Sequence, residues 1–416
     1  MRTFPSRPRV AAVAALALSS GIAVVGVSQP TEAAPAGACK LAVSRELAAV
    51  VQLAGGATLR SLVARVTDPV GGQRAQRARA RVTVLPPGST PVVLGAALGV
   101  REGIGTAVRA QQPRAMAAVN GDFFLEPTIR GKTVPVPRGP VISDGSVVRG
   151  SVERSLVVGV TAAGRPFVGS LAIRGVVRAG GALVAPVVSV NGPRATPGGV
   201  TVYTTAWTQT RGTPRPAGAA EWVVDDNGRL TQVRTRRTNE SLRGSRVQPG
   251  TRVLAFSRDT ANLAPGVVPG ERVTYSVFQR TRPRVQLKTA IGRGLRVVAD
   301  GSATPRPCAA YESSERPRTV LGWNADGNWR IITVPGTEFT PEAYRIGGFG
   351  VAQVGALAQR LGLVQAVTLD GGGSTTLYTR TARTWSRRDL WRVRGGTYER
   401  PVVNGLAFVP PGVTPR

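Results

Sequence analysis

Short runs rich in β-branched residues recur along most of this chain, and they constrain its fold more than any other feature. Arg81–Leu85, Ser155–Val160, Gly199–Tyr203, Trp222–Val224, Arg252–Phe256, Arg272–Phe278, Arg330–Val334 and Val402–Val409 each fit a strand. Turn signals such as Asp226-Asn227-Gly228 and Ala325-Asp326-Gly327 separate many of them. Helical spacing is rarer. Val351, Val354, Leu357, Ala358 and Leu361 recur at three- or four-residue steps before Gly362, which predicts an amphipathic helix over 350–361. A shorter helix is predicted over 103–112, ended by Pro113. Each predicted helix precedes an apolar strand that runs into a polar turn. The expected fold is α+β, with strand-rich mixed sheets and a few packed helices in a single domain over 40–413.

The N-terminus predicts export. Arg2, Arg7 and Arg9 precede a soft apolar run from Val10 to Val27, and small residues around Ala34, Ala36 and Ala38 offer cleavage sites. Residues 1–34 therefore read as a signal peptide cut within 34–38, the alternatives being an N-terminal anchor or lipidation at Cys39. No later stretch is long and apolar enough to span a bilayer. In an oxidising compartment Cys39 and Cys308 either cross-link, closing a very long loop, or remain buried thiols.

Composition excludes several chemistries. The chain has no histidine and two cysteines, so a Ser-His-Asp triad, a Cys-His dyad, a histidine-ligated zinc site and a thiolate cluster cannot be built from it. Carboxylates, guanidiniums, hydroxyls, amides and backbone groups must do any chemistry. The formal charge of +31 resembles a nucleic-acid signal, yet Lys40, Lys132 and Lys288 are the only lysines among 54 basic residues. That bias points to GC-rich codons, and with six Trp and six Tyr the chain offers few rings for base stacking. No specific nucleic acid is expected. Anionic polymers such as a cell envelope should still be attracted.

The run Leu369-Asp370-Gly371-Gly372-Gly373-Ser374-Thr375-Thr376 is the strongest candidate site. An apolar strand delivers one carboxylate into three glycines, whose N–H groups can approach a ligand closely, followed by orientable hydroxyls. The plainer reading is a glycine-rich turn in which Asp370 bonds its own backbone. Two further segments favour a site: Ala117-Ala118-Val119-Asn120-Gly121-Asp122-Phe123-Phe124, another strand entering a polar turn, and Arg316-Pro317-Arg318-Thr319-Val320-Leu321-Gly322.

Taken in order, Ala-Val-Asn-Gly-Asp-Phe-Phe at 118–124, Thr-Ala-Ile-Gly-Arg-Gly at 289–294, Pro-Arg-Thr-Val-Leu-Gly at 317–322, Leu-Asp-Gly-Gly-Gly-Ser-Thr-Thr-Leu at 369–377 and Arg-Pro-Val-Val-Asn-Gly-Leu at 400–406 resemble the phosphodiester glycosidase family. The resemblance covers about residues 80–410, including a middle segment with Asn191, Tyr203 and Trp207. It implies a secreted or lumenal hydrolase that cleaves between a sugar's anomeric carbon and a phosphodiester oxygen. Phosphate leaves readily, so neutralising its charge matters more than a histidine-like acid.

Within that resemblance Arg318 is expected on the phosphate, through its planar fork, or else in a structural ion pair. Asp370 is expected as nucleophile or general base. Asp122 becomes the second carboxylate, its partner, or a turn cap. Asn120, Gly121 and Asn404 bond sugar hydroxyls or hold their own loops closed, while Gly371, Gly372, Gly373, Ser374 and Thr375 contact phosphate or sugar. Arg293 interrupts a stretch that is mostly glycine in relatives, and it reshapes the pocket or adds a phosphate contact. Arg316 stands where many relatives carry histidine. No cofactor and no metal are expected. The implied partner is a phosphorylated glycan or sugar phosphate, with another envelope-active hydrolase or an anionic-glycan-binding module as the alternatives.

Overall fold

The β-branched runs pair into three large sheets in a computed structural model, which describes residues 40–46, 50–67, 76–193, 196–208, 215–235, 246–263, 266–292, 294–305, 316–335, 348–382, 384–389, 392–393, 396–397 and 399–415. The expected signal peptide, Cys39, Cys308 and Arg293 lie outside these residues. Among the described residues, a nine-stranded sheet contains the neighbouring strands Gln76–Val84, Trp329–Val334, Arg318–Asn324, Leu363–Thr368 and Arg296–Ala299. An eleven-stranded sheet runs from Leu230–Thr235 at one edge to Val273–Arg282 at the other. A five-stranded sheet places Leu377–Arg380, Ala117–Asn120, Gly405–Val409 and Thr90–Leu94 side by side. Nearly all pairing is antiparallel; Ala182–Val190 and Val200–Tyr203 run parallel, so the sheets are mixed.

Among the described residues two α-helices each back the strand that follows them. The first, α1, spans Ile104–Gln111 and buries Ile104, Ala107 and Val108 against Ala118 and Ala407. The second, α2, spans Val351–Arg360 and buries Val351, Val354, Leu357 and Ala358 against Val298, Val320, Leu363 and Ala366. Each fully buried Val or Leu contributes about 1.5–3 kcal/mol, so this apolar stripe fixes the helix on the sheet. Helix bounds fall within a residue of those expected from the apolar spacing.

A shared core joins the sheets. Val119 and Leu406 of the five-stranded sheet meet Leu321, Trp329 and Leu369 of the nine-stranded sheet and its margin, with Val158 and Ile291 of the eleven-stranded sheet. The expected strand Val402–Val409 is shorter than its apolar pattern suggests, beginning at Gly405. Val402 makes only an isolated bridge with Glu102, and Asn404 turns its amide to another segment's backbone.

In the middle segment, Asn191 adopts φ 49° and its Nδ2 donates to Val148 O and to Thr204 Oγ1. Trp207 packs edge-on against Tyr203 with ring centroids 5.4 Å apart. Arg215 lies over the Tyr203 ring and forms a two-pronged pair with Glu221, at 2.6 Å for each bond, inside the core. Such a pair is costly to break from one side, because the remaining charge is left buried.

Candidate active site

The two helix-backed strands deliver their polar ends to the same place. Asp370 N donates to Gly121 O at 2.9 Å, and Gly121 N donates to Asn404 O at 2.9 Å. Asn120 is the latch between them. Its Nδ2 donates to Asp370 O at 2.7 Å, while its Oδ1 accepts from Thr319 Oγ1 at 2.8 Å and from Thr376 N at 3.0 Å. Asn404 Oδ1 accepts from Asp122 N at 2.8 Å. Asn120, Gly121, Asp122, Asp370 and Asn404, scattered over the chain, thus form one cluster of interlocked turns.

The two carboxyl groups have unequal environments. Asp122 is only 2 % exposed. Burial raises its pKa well above the ordinary carboxylate value, outweighing the Gly139 N–H that reaches Oδ2 at 3.1 Å, the Arg149 charge and the Gly292 amide; the Asp370 charge raises it further. Burial also lifts Asp370, to about 6, against the opposing effects of Ser374, the Gly371 N–H at 2.9 Å and Arg400. Ser374 Oγ lies close enough to favour the carboxylate but outside hydrogen-bond geometry. At neutral pH Asp370 is therefore largely ionised, while burial disfavours the charged form of Asp122.

Guanidiniums flank the glycine turn. Antiparallel register pairs Val320 with Thr368, and continuing it sets Arg318 opposite Asp370. Arg318 Nε donates to Phe349 O at 2.8 Å. A β-carbon at Gly371 would stand 2.8 Å from Pro317 O and 3.9 Å from Arg318 Nη1, so a side chain there would crowd both. On the other side, a β-carbon at Gly373 would stand 3.5 Å from Arg400 Cδ. Between them Gly372 has φ 58°, a conformation that favours glycine. Arg400 stacks on Phe124 at 5.1 Å from the ring centroid. Five buried polar atoms of this cluster have no protein partner: Asp122 Oδ1, Ser374 Oγ, Thr375 Oγ1, Thr376 Oγ1 and Asn404 Nδ2. Such atoms call for water or a ligand.

Arg400, Arg149, Thr319 and Gly139 were not among the sequence-based candidates. Arg400 opens one of the motifs quoted above, so its position was legible although its role was not. Arg149 had no signal: it reaches the cluster through tertiary packing, with Nη1 donating to Asn191 O at 3.0 Å. No three His, Cys, Asp or Glu side chains converge as a metal site among the described residues.

Gly294 presses against the strand that carries Asp370. A β-carbon there would lie 1.7 Å from Thr368 O, while Thr368 N donates to Leu295 O at 2.8 Å. Gly294→Ala should force the two backbones apart, lowering stability by about 1–3 kcal/mol and reducing activity with it. A Tm equal to the parent's would show that the segment relaxes without cost.

Residues 218–409 match the family model described as phosphodiester glycosidase. That span holds Arg318, Asp370, Arg400 and Asn404, whereas Asn120–Asp122 precede it. A hypothetical protein from Synechocystis superposes with a TM-score of 0.60 at 17% identity, covering 89% of this chain and 68% of that one. A Burkholderia pseudomallei protein named for its expected export gives 0.60 at 20% identity, covering 83% and 76%. The zebrafish N-acetylglucosamine-1-phosphodiester alpha-N-acetylglucosaminidase catalytic domain, auto-inhibited by its pro-peptide, gives 0.44 at 14% identity, covering 89% and 88%. No curated protein sequence matches significantly. No helix among the described residues is long and apolar enough to cross a membrane.

Proposed function

We infer that this chain, which carries a phosphodiester glycosidase family domain over residues 218–409, hydrolyses the bond between a sugar's anomeric carbon and a phosphodiester oxygen. The supporting observation is the meeting, in one cluster of turns, of two largely buried carboxyl groups, whose pKa values burial raises, beside two guanidiniums. Arg318 and Arg400 neutralise the phosphate, and the N–H groups of Gly371–Gly373 with Thr375 hold its oxygens or the sugar. Breaking the C1–O bond leaves its electron pair on the phosphate, which departs without a histidine-like acid. Asp370 stabilises the oxocarbenium-like centre and acts as nucleophile or as base toward water.

Asp122 serves as the partner of Asp370. Its buried carboxyl accepts from the Gly139 N–H and feels the Arg149 charge, both of which offset part of the cost of burial. Asn120 acts as the latch, and Asn404 uses Oδ1 to hold Asp122 while Nδ2 remains a donor for the sugar. The leader-like residues 1–34 support export, and an envelope or extracellular glycan is the proposed substrate.

A substrate panel tests this reading. The protein should turn over a sugar 1-phosphodiester and leave the aryl glycoside of the same sugar and an aryl phosphate essentially untouched; comparable turnover of either simple ester or glycoside would assign a different hydrolase. Arg318→Lys keeps the charge but loses the fork, so kcat/KM should fall at least about tenfold, and parental kinetics would remove Arg318 from the phosphate site. Hydrolysis should also survive exhaustive chelation, since a dication among these donors would repel them. Activity lost with EDTA and restored by calcium or magnesium would make Asp122 or Asp370 a ligand instead.

A further inference from the structure

Among the described residues the last strand of the eleven-stranded sheet, Val273–Arg282, pairs only with Pro166–Ala179 along its length, and it presents an unusual face. Side chains alternate across a strand, so Phe278, Arg280 and Arg282 share one side, and all three are exposed. Register sets Arg174 opposite Phe278 and Ser170 opposite Arg282. Arg154 enters from the neighbouring strand's approach, its Nη1 donating to Ser170 Oγ at 3.3 Å and to Arg280 O at 3.1 Å. Arg154, Arg280, Arg282 and Arg284 line one cavity of about 470 Å³.

Among the described residues no ion pair ties this group to a carboxylate. Elsewhere guanidiniums pair with acids, as in Arg101–Glu126, Arg215–Glu221, Arg252–Asp226 and Arg387–Asp389, but among the described residues none of these edge arginines is in an ion pair. The crowding is felt at Arg154, whose pKa is lowered by lost hydration and then by Arg282, Arg280 and Arg174. Like charges held together around a concave surface relieve their repulsion when an anion enters.

The edge is also close to the candidate active site. Gly292, whose amide lies by Asp122, pairs with Val157; Val157 pairs with Gly169; and a β-carbon at Gly169 would stand 2.3 Å from Arg282 O. Three strand spacings, roughly 14 Å, separate Gly292 from this edge.

We propose that the Arg154–Arg280–Arg282–Arg284 cavity and the exposed Phe278 beside it form an extended subsite for an anionic glycan that carries phosphodiesters along its chain. The glycan assignment rests on the proposed function; the anion-binding geometry does not. Phosphates along the polymer take the guanidiniums, and a sugar face packs on the single exposed ring. A single-stranded nucleic acid would instead need a succession of rings for stacking, and this face offers one.

Binding and turnover are measured separately to test it. The probe is a glucosylated poly(glycerol phosphate), titrated against the full chain and against Arg154→Ser/Arg280→Ser/Arg282→Ser. Affinity should fall at least about tenfold at physiological salt and its salt dependence should become shallower, while turnover of a small sugar 1-phosphodiester stays within about twofold of the parent. A control triple at scattered exposed sites, Arg130→Ser/Arg229→Ser/Arg360→Ser, should bind the polymer nearly as the parent does. Equal losses in the two triples would reduce the effect to diffuse net charge and overturn the subsite. Unchanged polymer affinity, or tighter binding of an oligo-dT of equal charge, would overturn it as well. A protein inactive on every small substrate but with this binding pattern would retain the anion site while losing the proposed reaction.

Discussion

Asp370→Asn is expected to lower turnover of a sugar 1-phosphodiester at least about a thousandfold while leaving the protein at least as stable as the parent at neutral pH. The amide keeps the acceptor that the Gly371 N–H uses at 2.9 Å, so the turn keeps its shape. What disappears is a charge that burial disfavours. The folded pKa of about 6 lies above the ordinary 3.8, so the folded state holds the proton more tightly than the unfolded chain. Stability contributed by this group is therefore fully present below about pH 4 and is lost as pH rises toward 6. The variant escapes that loss and should gain on the order of 1–2 kcal/mol above pH 6, after allowance for partial exposure, with no gain near pH 4. Parallel melting curves at pH 4.5 and 7 check the sign. A variant markedly less stable than the parent at pH 7 would make Asp370 a structural residue. The parent's kcat/KM should correspondingly fall below about pH 6 as the carboxylate is protonated.

The second large effect is expected at Asn120. Its amide joins three segments through Asp370 O, Thr319 Oγ1 and Thr376 N, in a fully buried position. Asn120→Ala removes three hydrogen bonds and strands the Thr376 N–H and the Thr319 hydroxyl, each at about 1–3 kcal/mol. A stability loss of about 3–5 kcal/mol follows, accompanied by a fall in kcat because the Asp370 turn loses its anchor. A side chain that only touched sugar would give the opposite pattern: raised KM, unchanged kcat and an unchanged denaturation midpoint. Urea unfolding together with a kcat–KM split distinguishes the two.

The fold was legible where one element's own pattern decides its structure. The stripe of Val351, Val354, Leu357 and Ala358 specifies α2, because a single buried face at helical spacing has few other solutions. Alternating or continuous apolar runs likewise located strands such as Ser155–Thr161 and Thr251–Phe256. Sequence could not reveal which strand ends meet. Asn120 and Asp370 lie 250 residues apart, and only pairing across different sheets makes Asn120 a latch. Local pattern also overran at Val402, where Asn404's bond to the Asp122 backbone delays the strand until Gly405.

The candidate site divides in the same way. Asp122 and Asp370 stood out because a carboxylate just past an apolar strand, beside glycine, has a local signature, and Arg318 because it opens an apolar strand. Arg149 stands at the middle of an ordinary strand and matters through its charge on a buried carboxyl from elsewhere. Nothing in its neighbours could have marked it. The edge arginines were visible as charge, but their convergence around one cavity depends on the register of Val273–Arg282 with Pro166–Ala179.

The bond that breaks tests the central claim most directly. Hydrolysis of a sugar 1-phosphodiester in water enriched in oxygen-18 places the label according to the atom attacked. Attack at the anomeric carbon, with Arg318 and Arg400 holding the phosphate as leaving group, puts the heavy oxygen on C1 of the released sugar and leaves the phosphate monoester unlabelled. Label in the phosphate would mean attack at phosphorus, and would contradict the account.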